Sequence, residues 1–221
     1  MNYFAHALPF LDRPYFAAAT AVPDMLSVVD RKVRLRSKHV LPFQNASDPL
    51  LCEVAQGVMQ HLLDDAAFHE TRAFAETSLE LTALARDALA GEGGMQAAFL
   101  GHLLVEILLD AALIQEFPEE LSAYHRLLAD VDAVAVEAAV NRMAPRRTRR
   151  LAAMLQAIPR ERFLCDYADD ERLMPRLGQI MRRVGLPPLG ADFAEILPTA
   201  RRLVAGRVAP LLESRAEARR A

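Results

Sequence analysis

FLGHLLVEILLDAALIQEFP, residues Phe99 to Pro118, is the stretch that decides the fold. From Met95 to Ile114 the chain is almost wholly apolar, and apart from Gln96 and Gly101 the interruptions are His102, Glu106 and Asp110, four residues apart. On an α-helix each step of four advances about 40° beyond a full turn, so the three side chains share a sector roughly 80° wide. Every other face of that helix is Leu, Val, Ile, Ala or Phe, the pattern of a buried helix. Ionised carboxylates in a core are costly unless paired, hydrogen-bonded or coordinated to a metal. The run is long enough to span a bilayer. A lone span would expose three ionisable groups to lipid, so a core helix without a membrane is the expectation.

Working outward, the pattern is helical nearly throughout, which predicts an all-α, single-domain helical bundle over residues 1–221. A short helix is expected over Tyr15–Val29, kinked or restarted at Pro23. Val33–Phe43 is the one convincing extended stretch. Asp48-Pro49 opens a helix, with Asp as N-cap and Pro in the first position, that should run on through Phe74. A third helix over about Thr77–Leu89 should end at "GEGG". The core helix follows from Met95 to Glu116, stopped by Pro118. Beyond it Pro118, Asp132 and Pro145 should each open a helix, and the segment from Glu161 to Val184 reads as two pieces around Pro175. A last helix from Ala191 should bend near Pro198 and Pro210, and the tail "ESRAEARRA" should be solvated.

The 221 residues suffice for one substantial core. With 52% hydrophobic and 25% charged residues the composition is that of an ordinary globular protein, and a net charge of −3 selects no partner. Trp is absent and no run interleaves basic with aromatic residues, so a nucleic-acid partner is not expected. Cys52 and Cys165 lack metal-type spacing and read as buried reduced thiols of a cytoplasmic protein. The opening residues have no basic leader before a cleavable apolar core, so no secretory signal is expected.

A second stripe has the same spacing. In "GVMQHLLDDAAFH" His61, Asp65 and His69 again fall four apart. Two helices facing one another could thus present three imidazoles and three carboxylates to a common centre. His61, Asp65, His69, His102, Glu106 and Asp110 are therefore the candidate metal ligands. Imidazole with carboxylate suits Mn²⁺, Fe²⁺ or Zn²⁺, one ion or two, and no thiolate lies nearby to make a structural zinc site. Asp64, next to Asp65, reads as a carboxylate that need not be a ligand. Taken alone, the His61 stripe also fits a solvated helix face, and the His102 stripe a buried polar network without metal.

Further residues bring a family into view. The opening "MNYFAHALPF" with His6, the Asp24 of "AVPDML", the series Gly57, His61, Asp65, the acidic pair Glu106 and Asp110, and "MAPRRTR" from Met143 to Arg149 occur in order. Together they resemble the acyl carrier protein phosphodiesterases, phosphopantetheine hydrolases regarded as divergent HD-domain phosphohydrolases. The likeness covers roughly residues 1–150. The chain departs from it in having Leu62 after His61, His69 where the family has Asp, Glu106 where Asp is more usual, and His102 as an extra candidate ligand. The resemblance implies an HD-domain-like fold and metal-dependent phosphodiester hydrolysis. It also implies that Asp24 is a ligand or orients the attacking water, with His6 beside it. Residue by residue, the bland alternatives are a packed N-terminal imidazole for His6 and a helix cap for Asp24.

Arg31–His39 holds five Lys or Arg within eight residues, and Arg146, Arg147, Arg149 and Arg150 form a second basic cluster. Arginine forks suit phosphate, and either cluster would steer an acidic carrier protein; the alternative is a solvated basic surface. The resemblance singles out Arg146 and Arg147 as the groups that stabilise phosphoryl charge. The expected activity is hydrolysis of a phosphodiester, carried on acyl carrier protein or a smaller molecule, and a homodimer is compatible with the aliphatic helix faces. Two rivals stand beside it. A di-iron carboxylate bundle would pair Glu and His three apart, whereas every pair here is four apart. A non-catalytic metal-binding or structural helical protein with a degenerate site is the other.

Overall fold

Proline and short polar caps set most helix starts. In a computed structural model, residues 1–89 and 93–218 are described, 214–218 as backbone alone. The α-helices are α1 (Tyr3–Ala7), α2 (Pro14–Thr20), α3 (Val22–Val29), α4 (Ser37–Val40), α5 (Pro49–Glu70), α6 (Arg72–Ala88) and α7 (Gly94–Glu116). They continue as α8 (Pro118–Asp130), α9 (Ala133–Met143), α10 (Leu151–Glu161), α11 (Asp170–Val184), α12 (Leu197–Ala205) and α13 (Val208–Ala218). Short 3₁₀ turns join several of them, and no strand occurs among the described residues. The protein is all-α.

Several boundaries differ from the sequence expectation, each for a local reason. Val33–Phe43 is not an extended stretch: only residues 33–36 lack a helix, and α4 and a 3₁₀ turn at Leu41–Phe43 follow. The long helix from Pro49 ends at Glu70, because Thr71 turns extended and its Oγ1 accepts from Phe74 N at 3.1 Å, capping α6. Pro145 does not open α10. Asn141 and Thr148 exchange two hydrogen bonds, of 2.8 and 3.0 Å, across a non-helical segment over residues 144–150. The break expected at Pro175 comes at Asp169, whose Oδ1 accepts from Arg172 N at 3.0 Å, and Pro175 sits inside α11. α6 ends at Ala88 with Leu89 as its C-cap, just before "GEGG", whose first two residues lie outside the described ones. α13 carries helical backbone through Ala218, and the exposure expected of the tail beyond Glu213 lies outside the described residues. Both cysteines are free and half-buried rather than buried.

The chain packs as two compact units, each built from separated stretches. The first comprises Asn2–Ala66 and Phe117–Arg162; the second comprises Ala67–Glu116, the chain from Phe163 onward, and Met1. In the first unit α10 packs on α3, α8 and α9, and α1 packs on α2. Its core includes Phe4, Val54, Val58, Tyr124, Val136 and Leu155. Ala17, Ala18 and Ala19 of α2 are fully buried, and a Cβ at Gly57 of α5 would collide with the Phe16 carbonyl and lie 2.8 Å from Ala19 Cβ. The absence of a side chain at Gly57 is what lets the two backbones approach.

In the second unit α7 lies along α6 and is flanked by α12 and the 3₁₀ turn Phe163–Ala168. Gly101 serves here as Gly57 does there: a Cβ would lie 2.7 Å from both Ser78 O and Thr82 N of α6. Among the described residues α7 is the one helix long and apolar enough to cross a membrane, and 67% of its most apolar window is buried inside the protein. Its polar stripe is graded, with His102 exposed, Glu106 half-buried and Asp110 fully buried.

Candidate functional site

The first unit gathers His6, His61 and Asp65, whose ligand atoms all lie within 4.8 Å of one another. Each is placed by a short local device. Asn2 caps α1, its Oδ1 accepting from Tyr3 N at 2.9 Å, so that His6 enters the core one turn later, fully buried. Asp48 Oδ1 accepts from Leu51 N at 3.3 Å at the start of α5, which carries His61 three turns on. His61 is 3% exposed, and its ring lies 4.1 Å from that of His6, tilted by 33°.

Two more carboxylates attend the imidazoles. Asp24, in the first turn of α3, places Oδ1 3.9 Å from His61 Nε2, with its side chain about one-third exposed. Asp64 is buried, with Oδ2 3.7 Å from His6 Nδ1, and its Oδ1 accepts from Gln60 Nε2 at 2.7 Å. Sequence reasoning set Asp64 aside. Its signal is weak, because two adjacent carboxylates on a helix differ only by which neighbour each faces. Two imidazoles and a carboxylate form a donor set that suits Zn²⁺, Mn²⁺ or Fe²⁺. Their spacing needs only modest closure to reach the edge of about 3.3 Å expected for tetrahedral ligands at 2.0–2.1 Å. The residues fit a divalent ion.

The second unit gathers His69, His102 and Glu106, again within 4.8 Å. Glu106 Oε1 lies 3.1 Å from His69 Nε2 and 3.4 Å from His102 Nε2, and accepts from the Met1 amino group at 3.3 Å. Burial pushes the Glu106 carboxyl up, but the amino group and the His102 and His69 hydrogen bonds outweigh it and hold the group well below the usual carboxylate range. The sequence suggested one centre fed by both stripes. In the structure His61 and Asp65 join His6 in the first unit, and His69 joins His102 and Glu106 in the second. Asp110 is buried on α7 and belongs to neither triad.

Arg146 and Arg147 are exposed on the bent segment before α10 and make no hydrogen bond or ion pair among the described residues. That segment is tied to α3, the helix bearing Asp24, by Arg150 Nη1 donating to Val29 O at 2.9 Å. Of the other basic cluster, Arg31, Lys32, Arg34, Arg36 and Lys38 are exposed while Val33 and Leu35 are buried. Comparison with protein-family models, characterised proteins and solved structures gives no match to this chain.

Proposed function

We propose that the first unit is a metal-dependent phosphohydrolase centre acting on a phosphodiester, HD-domain-like in its ligand set. The observation that carries the reading is the triad of buried His6 and His61 with half-buried Asp65, with Asp24 beside it and about one-third exposed. A divalent ion bound there would polarise a phosphoryl oxygen and lower the pKa of bound water toward neutrality.

The chain's own groups supply the rest. His6, His61 and Asp65 would hold the ion through two imidazoles and one carboxylate. Asp64 fixes the His6 ring and is itself fixed by Gln60. Asp24, whose Oδ1 lies 3.9 Å from His61 Nε2 and whose side chain is part-exposed, would accept the proton of the attacking water and direct its lone pair at phosphorus. Arg146 and Arg147, on a segment anchored to α3, neutralise charge on the phosphoryl oxygens. A substrate carried on acyl carrier protein fits the resemblance and the basic surface, and a smaller phosphodiester fits the same chemistry.

The test is elemental analysis of protein purified without chelator, followed by hydrolysis of bis(p-nitrophenyl) phosphate with Mn²⁺ restored. The expected result is bound transition metal and hydrolysis that requires it. A folded protein that binds no metal on titration, or binds it without turnover, contradicts the reading and favours a non-catalytic helical protein.

A further inference from the structure

We propose that His69, His102 and Glu106 form a second divalent-metal site, a solvent-open Zn²⁺ site independent of the triad on His6. Two edges of the group already have the required length. Tetrahedral Zn²⁺ with Zn–N and Zn–O near 2.0–2.2 Å sets its ligand atoms about 3.3 Å apart. The observed separations from Glu106 Oε1 are 3.1 Å to His69 Nε2 and 3.4 Å to His102 Nε2. Both imidazoles and the Met1 amino group already converge on this one carboxylate oxygen.

The imidazoles are held in that orientation by aromatic contacts rather than by chance. The two rings stack at 4.8 Å with 21° between planes. Phe74 stands edge-on to both, 4.6 Å from His69 and 5.0 Å from His102, and Phe68 backs His69 at 5.4 Å. His102 and Glu106 are an i,i+4 pair on α7, and His69 sits in the last turn of α5, so all three ligands ride on helices. The Glu106 side chain is 18% exposed, whereas that of His102 is 48% exposed. One side of the site therefore faces solvent, and a fourth position is left for water or an oxygen ligand. Two histidines and a glutamate with an open position is a catalytic kind of zinc donor set, unlike the closed sets of structural zinc.

The experiment is Zn²⁺ equilibrium dialysis and Co²⁺ absorption on the full chain, in a His61→Ala/Asp65→Asn background that removes the first triad. One equivalent should remain bound, with visible Co²⁺ d–d bands. Adding His102→Ala should raise Kd at least about 100-fold, since loss of outer-shell partners alone costs 10–100-fold, and should erase the bands. Glu106→Gln should do the same. His102 is half exposed, so its truncation is not a folding lesion. If the background variant fails to fold, His102→Ala alone should lower the wild-type stoichiometry by one. No Zn²⁺ in the folded background variant, or unchanged Kd and spectrum with His102→Ala, overturns the site. A wild-type protein with a single equivalent that His102→Ala removes supports this site while contradicting the first.

Discussion

At the residue scale the proposed chemistry turns on Asp24, which is near His61 and, unlike the buried His6 and His61, part-exposed. Asp24 does not cap α3, whose N-cap is Ala21 without a side-chain hydrogen bond, so Asp24→Asn keeps size while removing the proton acceptor. The expected result is a fall in kcat of about 10²–10⁴-fold, the usual worth of a positioned general base, with metal content unchanged. Loss of the metal along with activity would instead make Asp24 a ligand. His125, on α8, tests electrostatics outside the site. It is 5% exposed, neither ring nitrogen has a hydrogen-bond partner among the described residues, and burial, then Arg162, pushes its pKa down to about 4. The unfolded chain takes up this proton near pH 6.5 and the folded one only near 4. Between those values the unfolded state holds more protons, so stability is full above about 6.5 and declines as pH falls toward 4. The loss should be at most on the order of 3–4 kcal/mol, at about 1.36 kcal/mol per pH unit. Urea midpoints measured between pH 7.5 and 4 should slope downward in the native sequence and less in His125→Leu; equal slopes would contradict the assignment.

At the element scale the two glycines of close approach carry the packing. Gly57→Ala forces a methyl against the Phe16 carbonyl, a backbone atom that cannot swing aside. Overpacking of this kind typically costs about 1–3 kcal/mol, and chemical denaturation should register it; an unchanged midpoint would mean α2 and α5 do not touch there. Elements governed by local chemistry are legible in the sequence. The starts at Pro49, Pro118 and Ala133 follow from Asp48-Pro49, from Pro118 and from Asp132, whose Oδ1 accepts from Val134 N and Ala135 N at 3.0 Å. Elements governed by a distant partner are not. The Thr71 cap interrupts a run that periodicity alone continues, and the late start of α10 depends on the pairing of Asn141 with Thr148.

At the scale of the whole molecule the all-α class is legible because helical spacing runs along nearly the whole chain, with α7 adding a long buried helix whose charges lie on one stripe. The candidate ligands on α5 and α7 are legible from their spacing, since steps of four survive any packing. Their partnership is not. Spacing places His61, Asp65 and His69 on one helix face, but which neighbour each meets is set by tertiary contacts, and the structure assigns them to different triads. His6 is found only through the family likeness of the opening residues, and Asp64 not at all, because its role appears only once His6 is in place. The most direct measurement is anomalous diffraction at the manganese edge from crystals grown with Mn²⁺. The account predicts an anomalous peak bonded to His6, His61 and Asp65 in the first unit. Density that shows these three side chains without an ion, under saturating Mn²⁺, would contradict it.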